Sequence, residues 1–250
     1  MERAAALFEY LLRHGDSCLI LGHRVAEWCG HAPELEEDIA LANIGLDLTG
    51  QAEQFLAYAG TLEGKGRDAD ALAYSRDAWD FRNALLCERP NGDFAHTMVR
   101  QFLFDAWQVE AFAGLARASD ARLAGIAAKA AKEAHYHLRH SGEWVVRLGD
   151  GTAESHARAQ AAVDALWEYT GEFFETDAVV AALGDSVPDP AALKPAWNAT
   201  VDEVLRAATL RRPKDGWTQT GGYAGRHSEA LGHLLATMQF LPRAYPGATW

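Results

Sequence analysis

Apolar residues recur along the chain at the three- and four-residue steps of an α-helix, and no stretch keeps the two-residue alternation of a strand. The dominating stretch runs from residue 28 to residue 55. Gly30 stops one helix there, and Pro33 stands at the start of the next, where its missing N–H costs little. Glu34, Glu36, Glu37 and Asp38 then crowd the first turns, the end at which a helix dipole favours anions. Leu35, Ile39, Ala42, Leu46, Thr49 and Leu56 follow at steps of three, four or seven and predict one apolar stripe. The helix so predicted covers residues 34–60, roughly 40 Å at about 1.5 Å per residue. A helix of that length spans a bundle from end to end.

The flanking pattern completes the bundle. Residues 2–29 predict a first helix, with Leu7, Leu11, Leu12, Leu19, Val25 and Trp28 as core and Gly15 and Gly22 marking a bend or a close helix crossing. Residues 60–70 are polar and glycine-bearing and predict a loop, and residues 71–86 predict short helical pieces. Residues 89–92 form a turn, and Asp93 is the N-cap of a third long helix over 94–118. Ser119 and Asp120 cap a fourth over 121–148. A fifth covers 153–174, a sixth starts near Pro190 and runs towards Leu210, and a last one covers 227–241 before Pro242 and Pro246. Residues 211–226 are the longest irregular stretch. The reading is one all-α domain over 1–250, a four-helix core with additional C-terminal helices.

Composition changes this picture little. With 49% apolar and 23% charged residues the chain can bury a sizeable core. Its net charge of −12 argues against nucleic-acid phosphates and anionic membranes as partners. Cys18, Cys29 and Cys87 form no disulfide framework, which fits reducing cytoplasm, and no apolar run approaches the ~20 residues of a membrane span. The eight tryptophans read as core or interface anchors, and Trp250 as packing onto the bundle or a partner.

A large helical bundle raises one chemical question. Ferritin-like di-iron proteins set a Glu on each of two helices and a Glu-x-x-His on each of the other two. Here the second helix offers Asp47-x-x-Gly50, and glycine has no ligand atom where histidine is needed. The fourth offers Glu133-x-x-Tyr136, with tyrosine in the histidine place. Asp105 is a mid-length acid on the third helix. The first offers Asp16, His23 and Glu27 without a unique choice. Some inner acids are kept and both histidines are absent, so Asp47, Gly50, Asp105, Glu133 and Tyr136 read as degenerate di-iron positions, and a polar network is expected in place of metal. Glu133, His137 and His140 share a helix face and could hold a metal, but read better as ordinary polar neighbours. No nucleophile elbow, P-loop or dinucleotide fingerprint is present, and no catalytic residue is assigned.

The stretch from Gly15 to Gln51, ERPNGDFAHT at 88–97, KEAHYHLRH at 132–140 and TGGYAGRHSEALGHLLATMQFLPRAYPGATW at 220–250 resemble the PaaC family of phenylacetyl-CoA epoxidase subunits, essentially end to end. The resemblance implies a ferritin-like fold and a place in a bacterial multicomponent monooxygenase. It implies a non-catalytic subunit without cofactor that pairs with and stabilises a catalytic PaaA-like subunit. That partner holds the di-iron site, and the complex works with further subunits and a reductase. The reaction implied is epoxidation of the phenylacetyl-CoA ring with O2 and NADPH-derived electrons, in the cytoplasm. Two alternatives stand beside it: a self-sufficient di-metal oxidase using Asp47, Asp105 and Glu133, and a self-associating bundle with a binding role outside oxygenation.

Overall fold

The computed structural model describes residues 1–248, and among these the only regular elements are helices. In chain order they are α1 (Arg3–Ala26), α2 (Leu35–Glu63), α3 (Ala69–Tyr74), α4 (Leu85–Glu88), α5 (Phe94–Leu115), α6 (Ala121–Gly149), α7 (Ala153–Leu166), α8 (Ala178–Leu183), α9 (Pro190–Ala207), α10 (Glu229–Met238) and α11 (Phe240–Ala244). They fall into two compact units. The first combines Met1–Pro90 with the C-terminal segment from Thr220, and the second is Asn91–Gln219.

The first unit is built on the antiparallel pair α1 and α2. Its closest approach is glycine on glycine: a Cβ on Gly22 would lie 3.2 Å from the Gly45 carbonyl oxygen, and one on Gly45 would lie 3.3 Å from that of Gly22. Gly15 likewise leaves room for Leu56, 2.9 Å from where its Cβ would be. The two α1 glycines therefore mark a crossing, not a bend. Leu11, Leu12, Leu19 and Val25 are buried as expected, whereas Leu7 and Trp28 are only half-buried.

The stripe predicted on α2 is corrected. Leu35 (72% exposed), Ile39 (55%) and Leu46 (70%) face outward, while Leu41, Ile44, Leu48 and Phe55 are buried. The helix carries two apolar stripes, and the buried one contains the small residues Gly45, Ala52 and Ala59 that admit α1 closely. Seven-residue steps also drift by about 20° each around an α-helix, so Leu56, three such steps from Leu35, is turned by about 60° and falls on the buried side. The helix outlasts Gly60 by a turn. Gly60 is there because the Arg67 carbonyl presses against it, and the stop is Gly64, with φ +68°. At the other end of the unit, α10 and α11 are separate at Gln239. Pro242 lies inside the first turn of α11, where a missing N–H is tolerated, and does not end the helix.

The second unit is built on the antiparallel pair α5 and α6, with Phe94 edge-on to Trp144 (5.0 Å between rings) and Phe102 above Gly142. Asp93 and Asp120 cap these helices through their side chains, accepting from the N–H groups of His96 (2.8 Å) and Leu123 (2.9 Å). Helices α7 and α9 flank the pair, and Trp197 of α9 is fully buried, donating from Nε1 to the Leu103 carbonyl at 3.0 Å. The fifth helix is shorter than predicted. It ends at Leu166 and continues as two 3-10 turns, the second starting at Gly171, where the side chain of Thr218 fills the space a Cβ would need. The six-residue α8, too short for a periodic signal, begins at Asp177, whose carboxylate accepts from two backbone N–H groups.

Candidate functional site

Each helix pair carries polar side chains in its dry interior, and these include the sequence's candidates. Asp105 of α5 is fully buried. Gln101 Nε2, one turn earlier, donates to its Oδ1 at 2.7 Å, and Ser141 of α6 lies 2.8 Å from its Oδ2. Burial pushes the carboxyl up to about 8, against the opposing pull of Ser141 and Gln101, so it is protonated at neutral pH. That proton resolves the local bonding. Ser141 Oγ has one hydrogen and faces both Asp105 and, at 2.9 Å, the carbonyl of His137. With Asp105 donating to Ser141 and Ser141 donating to the carbonyl, both polar groups are satisfied without a buried charge.

The other four positions lie elsewhere on their helices. Asp47 and Glu133 are half-buried, Gly50 is exposed, and Tyr136 is 43% exposed. The inward places nearby are held by Gln51 on α2 and by His137 on α6. Gln51 accepts weakly from the Cys18 thiol at 3.5 Å. Of Asp47, Asp105 and Glu133, the acids expected inside, only Asp105 is buried. The spacing Asp-x-x-Gly and Glu-x-x-Tyr put these residues on one face, but a second periodic stripe occupies the interior.

Three further polar groups find partners far away in the chain. Asp16 of α1 accepts from both terminal nitrogens of Arg76 and, at 2.8 Å, from the backbone N–H of Arg82. This buried pair ties α1 to the segment after α3. Glu88 at the end of α4 accepts from Asn83 Nδ2 (3.0 Å), His227 Nδ1 (2.8 Å) and the Ser228 N–H (2.7 Å). Burial opposes its ionisation, but these three donors outweigh it and hold Glu88 below the usual carboxylate range. Burial likewise opposes the charge on His227, and Glu88 outweighs it, raising the imidazole above its ordinary value. His14, stacked on Phe55 at 5.4 Å, is neutral, its pKa lowered to about 3 by burial and then by Arg13. The roles of Asp16 and His227 depend on pairing with distant residues, which periodicity does not reveal.

A di-iron centre needs ionised carboxylates and neutral imidazoles converging from several helices. Among the described residues no three His, Cys, Asp or Glu side chains come together as a ligand set. The trio Glu133, His137 and His140 does not do so. Asp105 is held by Gln101 and Ser141, and Gly50 has no donor atom. The residues present do not fit that centre. A cleft of the first unit, about 1060 Å³ beside Tyr74, Phe240 and Tyr245, has a mostly apolar lining with Asp70 as its one acid. It holds no convergent catalytic groups. The packing expected of Trp250 lies outside the described residues. None of the described helices is long and apolar enough to cross a membrane.

Comparison with known proteins adds what geometry leaves open. A family model described as "Phenylacetic acid catabolic protein" matches residues 1–250. The C component of the 1,2-phenylacetyl-CoA epoxidase of Escherichia coli (strain K12), one of that enzyme's subunits, is 51% identical over 246 residues, covering 98% of this chain and 99% of that protein. Among solved structures, a Synechococcus protein with aldehyde deformylating oxidase activity superposes with a TM-score of 0.56 over 84% of this chain and 95% of its own, at 17% identity. At that identity the likeness bears on the fold alone, and it agrees with the all-α, ferritin-like class predicted.

Proposed function

Because the chain belongs to the phenylacetic acid catabolic protein family, we propose that it is a non-catalytic structural subunit of a phenylacetyl-CoA epoxidase. In this reading it binds and stabilises a di-iron catalytic subunit and holds no metal itself. The complex it joins takes its electrons through a reductase, as the family resemblance implies. The observation that carries the reading is Asp105. An acid at the middle of an inner helix, where a di-iron bundle would place a ligand, is here fully buried and hydrogen-bonded to Gln101 and Ser141. Its surroundings are those of a packed polar core residue, and Tyr136 of the neighbouring helix α6 is 43% exposed.

The test is iron per chain, by elemental analysis, for this chain alone and for the chain co-expressed with the catalytic subunit in iron-replete medium. The expected result is near zero alone and about two per pair in the complex, with epoxidation only in the complex. Close to two irons in the isolated chain would overturn the reading in favour of a di-metal oxidase. A chain that never co-purifies with the catalytic subunit would overturn the partnership.

A further inference from the structure

The outward stripe of α2 has no role in the fold of its own unit. Leu35, Ile39 and Leu46 stand at steps of four and seven on one exposed helix face, and four residues further on comes Gly50. A Cβ at Gly50 would meet nothing in this chain. A glycine at an exposed mid-helix position weakens the helix relative to alanine, and no turn or positive φ requires it here. The ridge from Leu35 to Gly50 extends ~22 Å along the helix axis. Its charge is one-sided. The 29 residues of α2 include six carboxylates and no Lys or Arg, with Glu36 and Glu53 exposed beside the ridge.

Resting on the reading of this chain as a subunit, we infer that the Leu35–Ile39–Leu46 ridge and Gly50 receive a helix of a different subunit of the complex. The incoming helix carries an apolar stripe bordered by lysine and arginine, and it approaches the α2 backbone most closely at Gly50. Each part of the ridge selects a property of that occupant. The aliphatic side chains select an apolar stripe at helical spacing, the mode in which one helix lies along another. The exposed Glu36 and Glu53 select a cationic border, which steers encounter and sets register. The bare backbone at Gly50 admits a helix closer than any side chain would. A second copy of this chain supplies only part of this. Its α6 is cationic at the exposed Lys129, Lys132 and Arg139, but the one large apolar side chain exposed on that helix is Tyr136. It offers charge without a ridge, and the exposed Phe240 and Leu241 of α11 lie on a five-residue helix whose Arg243 is paired with Asp77, so the occupant is a different chain.

The experiment measures binding of the full chain to the remaining purified subunits of the epoxidase by biolayer interferometry across a salt series. The mass of the lone chain is measured in parallel by light scattering. The Ile39→Ser/Leu46→Ser double variant is expected to weaken binding roughly 30-fold or more, the scale of lost hot-spot anchors. Glu36→Lys/Glu53→Lys is expected to slow association and flatten its salt dependence. Gly50→Leu carries the sharpest expectation, because its two effects have opposite sign. It raises the melting temperature of the lone chain and weakens binding about tenfold or more. Melting curves and helicity of the lone variants guard against misfolding. Affinities within twofold of wild type for I39S/L46S and G50L would overturn the inference. A lone-chain dimer dissociated by the same variants would overturn it in favour of self-contact. Wild-type chain that binds none of the other subunits would instead overturn the subunit reading itself.

Discussion

Asp105 shows how a single proton can stand in for a larger group. Its carboxyl is protonated in the folded chain up to a pKa of about 8, whereas in the unfolded chain it ionises near 3.8. The folded state therefore holds one more proton between those values, and stability falls as pH rises through that window, by about 1.4 kcal/mol per pH unit. Asp105→Asn keeps the shape without the proton. The difference in melting temperature between D105N and wild type is expected to move in favour of the variant from pH 5 to pH 8. A difference independent of pH would show that the carboxyl is already ionised at neutral pH. The pair Glu88 and His227 has the usual signs. The contribution of Glu88 is present above about 4.5 and is lost as pH falls through its lowered pKa, and that of His227 is present below about 6.5 and is lost as pH rises through its raised one. The tether is thus fullest between those two values. His227→Ala leaves a buried carboxylate with less compensation and is expected to cost ~3 kcal/mol or more. Amide exchange at residues 227–231 should quicken ahead of the rest of the unit.

Helices were legible from the sequence wherever a cap and a period agreed. Asp93 and Asp120 fix starts that the structure places at the same residues, because a side-chain acceptor at the N-cap is a local device. The face that an element buries is not local. On α2 two stripes satisfy the same period, and the choice between them depends on which one can meet α1 at Gly22. Leu35 and Leu46 are therefore the misleading ones. Gly60 misled in a related way, being small because the Arg67 carbonyl presses on it and not because the helix must stop there. The candidate site was legible as to residue type but not placement: Asp105 is inside, while Gly50 and Tyr136 lie on outward faces. The glycine crossing carries its own prediction. Gly22→Val would drive a branched side chain against the Gly45 carbonyl and Leu48 Cβ, both 3.2 Å from the position of a Cβ. The expected cost is about 1–3 kcal/mol, seen as a lower urea midpoint at unchanged slope.

At the scale of the whole molecule, family membership and inner chemistry bear on different questions. Membership ties the chain to phenylacetic acid catabolism, while Asp105, Gly50 and Tyr136 bear on what part it plays there. The path of the chain reaches into its biogenesis. The second unit is contiguous, Asn91–Gln219, but the first is closed only by residues from Thr220 onward. The Glu88 carboxylate waits for His227 and Ser228, which leave the ribosome about 140 residues after it. At ~5–20 residues per second the amino-terminal helices stay without these partners for roughly ten to thirty seconds of synthesis. The later-made unit can finish first, an inversion of the usual order of cotranslational folding. A message truncated before codon 227 would yield helices α1 and α2 with a stranded carboxylate at Glu88, a product for proteolysis and not for assembly.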